Sequence, residues 1–239
     1  LKIVNAQDDL ADIFENSNTQ VMAIQETKVP AGAKKIRSSH LLLGPIDSPN
    51  DPAGVGFILS NSAMASLTHF EPVSNRLAWI RLHAQPRDFI IVSAYACPFT
   101  PTYDEQARHN FWDSLELLIQ NLPRELPILI LGDLNVRLHA KQPTDGDAIG
   151  HHIFGRGQDF LDNLPDEARV NRDRLIQLCQ MHTYKVVGTY FSKEAQETIT
   201  YREPSTVFFP NFPTPEEFAV LDHALISSSW LRAVKDHYT

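Results

Sequence analysis

The run Pro127-Ile-Leu-Ile-Leu-Gly-Asp-Leu-Asn135 decides the reading of the fold. Ile128 to Leu131 are four apolar, mostly branched residues, which predicts a strand buried on both faces. Gly132, Asp133 and Asn135 follow at once, so a carboxylate and a carboxamide stand where the hydrophobic strand surfaces. Polar groups so placed are costly in a dry setting and useful where they meet a metal or a phosphate.

Outward from this run, other strands alternate with helices. Val21-Met-Ala-Ile-Gln25 is a short apolar strand followed directly by Glu26, and Val55-Gly-Phe-Ile-Leu59 is another. Leu77–Leu82 and Phe89–Tyr95 flank the turn-like Ala84-Gln-Pro-Arg-Asp88, which predicts an antiparallel pair. Asp104-Glu105 opens a helix in which Phe111, Leu115 and Leu118 share a face, ending before Pro123. Leu10, Ile13 and Phe14 predict a shorter helix, and 171–182 carries Leu175, Leu178 and Cys179 on one side. Late strands are expected over 185–189, 197–201 and 219–226. Residues 139–170, with Gly146, Gly150, Gly155 and Gly157, read as a long functional or mobile loop, and Glu203 to Pro215 as a Pro-rich connection. No repeat or composition break divides the chain, so one domain of mixed α and β type is expected over 1–239.

At 239 residues the chain can bury a substantial core, and 43% hydrophobic with 21% charged residues is ordinary for a globular protein. No apolar run approaches the roughly 20 residues of a membrane span. The start, Lys2-Ile-Val-Asn-Ala-Gln-Asp-Asp, has no signal-peptide core, and Cys97 and Cys179 read as buried thiols. A nuclear or cytoplasmic protein that is not secreted is the expectation. The net charge of −8 argues against broad, sequence-independent nucleic-acid binding. It leaves standing a site that gathers acids around a divalent cation.

Glu26 and Asp133 occupy matching contexts, each at the end of an apolar strand. Alone, either is a solvated strand end or a helix cap; together they suit a hard cation, which takes few carboxylates and keeps water and phosphate oxygens. Asp222, in Val220-Leu-Asp-His-Ala-Leu-Ile226, reads as an acid inside an apolar strand. It either orients a histidine ring or accepts buried hydrogen bonds. Tyr95 is either a phenol aimed at a phosphate oxygen or a core aromatic with a wet tip. His151-His152, an adjacent pair, does not suit zinc, and no Gly-x-Ser-x-Gly or P-loop pattern occurs.

Five blocks in order, Ile24-Gln-Glu-Thr-Lys28, Ser93-Ala-Tyr-Ala-Cys-Pro98, Leu131-Gly-Asp-Leu-Asn135, Thr198-Ile-Thr-Tyr-Arg202 and Leu221-Asp-His-Ala-Leu-Ile226, resemble the signatures of the endonuclease/exonuclease/phosphatase superfamily. The resemblance implies a four-layer α/β sandwich, two packed mixed sheets flanked by helices. It implies Mg2+, or Mn2+ in its place, with Glu26 as metal ligand. By the same likeness Asp133 positions or deprotonates the attacking water, Asn135 holds a phosphate oxygen, Tyr95 lies at the phosphate and Asp222 orients the catalytic histidine. Asn171, as a polar position before the late helix, and Thr200 and Arg202 are its substrate-binding candidates.

Family members also begin with an Asn-bearing strand. Asn5 is the candidate, 21 positions before Glu26; otherwise Leu1 begins the helix and that strand is missing. They end on an Asp-His block, for which Asp236-His237 has the letters only 14 positions after Asp222. The expectation is an Asp-His beyond Thr239 and a truncated domain. The spacing of Asp147-Ala-Ile-Gly, Phe154-Gly-Arg-Gly157, Asn171-Arg, Thr189-Tyr-Phe191 and Thr200-Tyr-Arg202 most resembles non-LTR retrotransposon endonucleases. Those nick DNA, with a reverse transcriptase expected downstream. An apurinic endonuclease or exonuclease-type repair enzyme, an inactive remnant acting as a binding module, and a small-molecule phosphatase remain the alternatives, because the site chemistry is shared and specificity lives in loops.

Overall fold

The computed structural model of the chain describes residues 6–48, 52–204, 206 and 213–237. It divides into two compact units, each built from two stretches of sequence: Leu1–Tyr95 with Leu122–Gly132, and Ala96–Asn121 with Asp133–Thr239. Asn5 and most of the Pro-rich segment, at 205 and 207–212, lie outside the described residues. Among the described residues no helix is long and apolar enough to cross a membrane.

The first unit contains helix α1 (Ala6–Asn16) and strands β1 (Val21–Gln25), β2 (Gly32–Ile36), β3 (Ser39–Leu43) and β4 (Val55–Leu59). These strands form an antiparallel sheet in the order β1-β4-β3-β2. After a short helix, α2 (Asn61–Ser66), come β5 (Leu67–Pro72), β6 (Leu77–Leu82), β7 (Phe89–Tyr95) and β8 (Ile128–Asp133), neighbours in that order. The pair β6–β7 is antiparallel, Leu77 facing Ala94 and Leu82 facing Phe89, as the turn at 84–88 predicts. Ile90 N–H donates to Pro127 O, and Ala96 N–H to Asp133 O, an offset that rises together and makes β7 and β8 parallel.

Side-chain alternation sorts the first sheet onto two cores. Val55, Phe57, Leu59 and Leu42 face Ala78, Ile80, Leu82, Ile91 and Tyr95 of the second set of strands, so two sheets pack face to face within this unit. Ile58, Leu41 and Leu43 point the other way, onto Phe14 and Leu10 of α1. Phe57 and Phe70 meet edge to face, with centroids 6.4 Å apart. Lysines 34 and 35 line the exposed strand β2, where charge discourages further pairing.

In the second unit α3 (Glu105–Asn121) packs on α5 (Asp166–His182), and α5 packs on β9 (Tyr184–Val186). Asp104 Oδ1 accepts Ala107 N–H at 2.7 Å and starts α3, as the Asp-Glu pair predicts. A short helix α4 (Gln158–Asp162) precedes α5. Strands β10 (Tyr201–Arg202) and β11 (Phe218–Ala219) pair antiparallel, and β12 (Asp222–Ser227) pairs antiparallel with β9.

Several expectations are corrected. The strand at 128–131 runs on to Asp133, and only Ile128 and Ile130 of its apolar residues are fully buried; Leu129 and Leu131 are partly buried. Ile13 is 61% exposed, because the buried face of α1 is carried by Ala11 and Phe14. Helix α5 begins at Asp166, five residues earlier than expected, so Asn171 lies inside it rather than before it. The strand expected at 185–189 stops at Val186 and continues as a 3-10 turn, Val187–Tyr190. Likewise Glu197 belongs to a 3-10 turn and only Tyr201 is strand within 197–201. The strand expected at 219–226 is broken at Val220–Leu221, where Thr200 Oγ1 accepts the N–H groups of Leu221 and Asp222. The segment 139–170 is not featureless, for it holds the 3-10 turn Pro143–Asp145, α4 and the start of α5.

Candidate active site

In the first unit Glu26 leaves β1 in a left-handed conformation, φ +52°, and Lys28 follows at +54°. Such φ values are uncommon outside glycine and must be held by their surroundings. Here Thr27 N–H donates to Gly54 O and Lys28 N–H to Ala53 O. Gly54 is itself at φ +111°, and a Cβ there would come within 2.3 Å of Thr27 Oγ1, so only glycine permits the approach. The kink delivers Glu26 Oε1 to the Tyr95 hydroxyl, 2.7 Å, and Oε2 to Lys28 Nζ, 3.0 Å. Partial burial raises the Glu26 pKa, but the Tyr95 hydroxyl, Lys28 and Arg76 together outweigh it and hold the carboxyl below its ordinary value. Tyr95 is a buried ring with a polar tip. Arg76 lies over it, 4.9 Å from the centroid, and donates to its carbonyl at 3.2 Å.

In the second unit Asp133 Oδ1 accepts the N–H of Asn135 at 2.9 Å, an Asx-type turn. Asn135 is left-handed, φ +49°, and its Nδ2 donates to Ala96 O at 2.9 Å. Asn171 Nδ2 donates to Cys97 O at 2.9 Å and to Asn135 O at 3.2 Å, while its Oδ1 accepts from Trp112 Nε1 at 3.0 Å. Both amide hydrogens of Asn171 are thus used inside the protein, and the residue is 5% exposed. It shapes the backbone around Asn135 instead of presenting a free amide. Gly132, just before Asp133, is obligatory for a different reason: within the first unit a Cβ there would fall 1.8 Å from Ala94 O.

Thr200 and Asp222 are joined in the same unit, Thr200 Oγ1 accepting Asp222 N–H at 3.1 Å. Asp222, expected as a buried acid, is the first residue of β12 and is exposed. It lines a cavity of about 340 Å³ together with His223, His237, His151, His152 and Lys193. His223 is buried, its Nε2 is 2.9 Å from Val136 O, and burial lowers its pKa. Burial likewise lowers that of His237, against the opposing charge of Asp236, which pairs with Lys193 at 2.8 Å. Arg202 is exposed on β10 opposite Phe218. Cys97 and Cys179 are buried and not joined in a disulfide.

Two side chains belong to no motif, Arg76 in the first unit and Trp112 in the second. Trp112 has a sequence signal only in retrospect, as an indole on the apolar face of α3, where a buried N–H requires a partner. Among the described residues no group of three His, Cys, Asp or Glu side chains is arranged to hold a metal. A single carboxylate such as Glu26 fits the needs of Mg2+, which takes one or two carboxylates and completes its shell with water and phosphate oxygens. It is ionised, offers hard oxygens and is partly exposed.

Two large sheets with helices make a mixed α/β fold, that of the endonuclease/exonuclease/phosphatase proteins. Residues 4–239 match the Endonuclease/Exonuclease/phosphatase family, and the chain belongs to it. The AP endonuclease LMAP of Leishmania major has the same fold, with TM-score 0.66, 14% identity, and coverage of 96% of this chain and 76% of that one. The endonuclease domain of TRAS1, a telomere-specific non-LTR retrotransposon, aligns at TM-score 0.57 and 12% identity over 95% of this chain and 81% of that one. Craniofacial development protein 2 of Bos taurus is 22% identical over 191 residues, 80% of this chain. The chain spans 30% of the length of that relative.

Proposed function

We propose that the chain is a Mg2+-dependent endonuclease that hydrolyses phosphodiester bonds of DNA. The observation that carries this reading is the locked pair at the end of β8, Asp133 Oδ1 on the N–H of a left-handed Asn135. In the proposed reaction Asp133 takes a proton from a water molecule, the water oxygen bonds to phosphorus, the bond from phosphorus to the sugar oxygen breaks, and that oxygen takes up a proton from solvent. Asn135 has committed one amide hydrogen to Ala96 O, and the second donates to a non-bridging oxygen. Tyr95 holds the Glu26 carboxylate in place. Glu26 is the assigned metal ligand, and bound Mg2+ supplies Lewis-acid stabilisation of charge on the phosphate oxygens. Asp222 and Thr200 form a unit, Thr200 fixing the backbone so that the Asp222 carboxylate can orient an imidazole. Asn171 acts through the backbone of Asn135.

The order and spacing of the motifs favour the target-nicking domain of a non-LTR retrotransposon, with DNA and a reverse transcriptase as partners and a nuclear or cytoplasmic location. Mg2+-dependent nicking of supercoiled plasmid tests the assignment. Asp133→Ala and Asn135→Ala are expected to slow it by about a hundredfold or more, the loss typical of one deleted charge-stabilising group. Near-wild-type nicking by Asp133→Ala overturns the reading. Parallel duplexes with and without an abasic site separate target nicking from repair.

A further inference from the structure

The polar face that begins at Asp133 does not end at Asn135. Leu134, Val136 and Leu138 are buried, Asp133, Asn135 and Arg137 between them are partly buried, and His139, left-handed at φ +61°, is buried. Gly155-Arg156-Gly157 is pressed against the end of this face. Gly157 N–H donates to His139 O at 3.2 Å, and a Cβ on Gly155 would lie 2.4 Å from His139 Cα. That contact sets Arg156 near His139, the Phe160 ring lying 3.7 Å from the Arg156 guanidinium and 4.8 Å from the imidazole. Arg137 is held over Tyr201, 5.6 Å from its centroid. Two partly exposed guanidinium groups are therefore fixed on aromatic faces beside the proposed reaction centre of a chain whose net charge is −8.

Each guanidinium meets one carboxylate, Glu216 being exposed and Glu203 partly buried and also accepting the Tyr201 hydroxyl at 3.2 Å. Arg137 Nη2 lies 2.8 Å from Glu203 Oε1, and Arg156 Nε lies 3.3 Å from Glu216 Oε1. The two glutamates come from opposite ends of one connection, closed where Glu203 N–H donates to Glu217 O at 2.8 Å. Both pairs are single-point contacts, whereas a guanidinium carries five N–H donors in a fork that matches phosphate. Pairs as open to solvent as Arg156–Glu216 contribute little and exchange readily, and the partly buried Arg137–Glu203 pair is held by a single point. The charges of Arg137 and Arg156 also reach His139, whose pKa is brought down to about 4, by burial first and by these arginines and Arg172 next.

We propose that Arg137 and Arg156 form a two-point clamp for the DNA sugar-phosphate backbone, and that Glu203 and Glu216 occupy it until backbone phosphates displace them. The inference rests on the reading of the site as a DNA endonuclease and extends it from the scissile phosphate to its neighbours. The two glutamates stand in for phosphates, and counterion release on DNA binding drives the exchange.

Fluorescence anisotropy of a labelled duplex, titrated in EDTA at several salt concentrations, tests the clamp. Arg137→Gln and Arg156→Gln are each expected to weaken binding and to lower the slope of log K against log salt by about 0.9, one phosphate contact. Glu203→Gln and Glu216→Gln are expected to bind several-fold more tightly, an opposite sign that misfolding does not produce. A protein that nicks plasmid through Asp133 but whose slope ignores both arginines, or whose Glu→Gln variants bind no more tightly, overturns the clamp alone. A wild type with no salt-dependent duplex binding overturns the endonuclease reading and the clamp with it.

Discussion

Trp112 donates its indole N–H to Asn171 Oδ1 at 3.0 Å, joining α3 to α5 inside the second unit. The ring is 0% exposed, so no water replaces that bond. The bond also fixes which end of the Asn171 amide points where. With Oδ1 on the indole, Nδ2 faces the carbonyls of Cys97 and Asn135. A tryptophan two helical turns into α3 thus sets the backbone at the residue assigned to the phosphate.

Trp112→Phe keeps the aromatic bulk and deletes the donor. Leaving Asn171 Oδ1 buried and unpaired is expected to cost about 1–3 kcal/mol of stability, read by urea denaturation. Through Asn135 it is also expected to lower kcat for nicking with little change in KM. The same substitution made in an Asn135→Ala background should add almost nothing to the kcat loss. Equal losses in both backgrounds would mean that Trp112 acts elsewhere.

The Tyr95–Glu26 bond predicts a pH-dependent stability difference. The Glu26 pKa is depressed in the folded protein, so its contribution is present above the unfolded value, 4.5, and is lost as pH falls through the folded one. Tyr95→Phe removes one cause of that depression and leaves Lys28 and Arg76 in place. Its Tm deficit relative to wild type is therefore expected to be largest near neutrality and to shrink as pH drops below 4.5. A deficit that is constant from neutral to acid pH assigns the loss to packing alone.

Strands legible in the sequence were those with buried apolar runs and a clear turn between them. Val21–Gln25, Val55–Leu59, Leu77–Leu82 and Phe89–Tyr95 all form as read. The β2–β3 hairpin was not legible, because its two-residue turn places Arg37 at φ +55° with no Gly or Asn to mark it. Strand β5 escaped for a related reason, since Leu67–Pro72 is largely exposed and carries no apolar run. Among the site residues, Glu26, Asp133 and Asn135 announce themselves by following apolar strands. Asn171 does not reveal its burial, because a polar residue on the inner face of a helix resembles a helix boundary until its partners are known. Arg137 was legible in principle, as the next odd position after Asp133 and Asn135 above a buried Leu-x-Val-x-Leu row.

Asp145 and Arg172 form a buried pair, with Asp145 Oδ1 3.3 Å from Nη1 and Oδ2 2.5 Å from Nη2. The same guanidinium donates to the carbonyls of Leu138 and Ala140. It therefore ties α5 to the segment that follows the Asp133–His139 face. Asp145→Ala leaves the arginine charge buried without its carboxylate and is expected to cost about 3–5 kcal/mol in urea denaturation. The double change Asp145→Leu with Arg172→Met, which removes both charges, should cost markedly less. A double variant as unstable as Asp145→Ala would show that the carbonyl contacts of Arg172 matter more than its charge.

His139 predicts an acid-side loss of stability of its own. Its pKa is brought from 6.5 to about 4, by burial first and then by Arg137, Arg156 and Arg172. The unfolded chain accordingly binds this proton at a pH where the folded protein does not, and stability rises with pH across that interval. The contribution is fully present above 6.5 and disappears as pH falls toward 4. Asparagine is the replacement that tolerates the left-handed backbone here, φ +61°, and carries no titrating group. His139→Asn is thus expected to flatten the dependence of unfolding free energy on pH between 6.5 and 4, measured by urea titrations at each pH. An unchanged slope would place the titrating group elsewhere and leave the Phe160 stacking as the whole role of the ring.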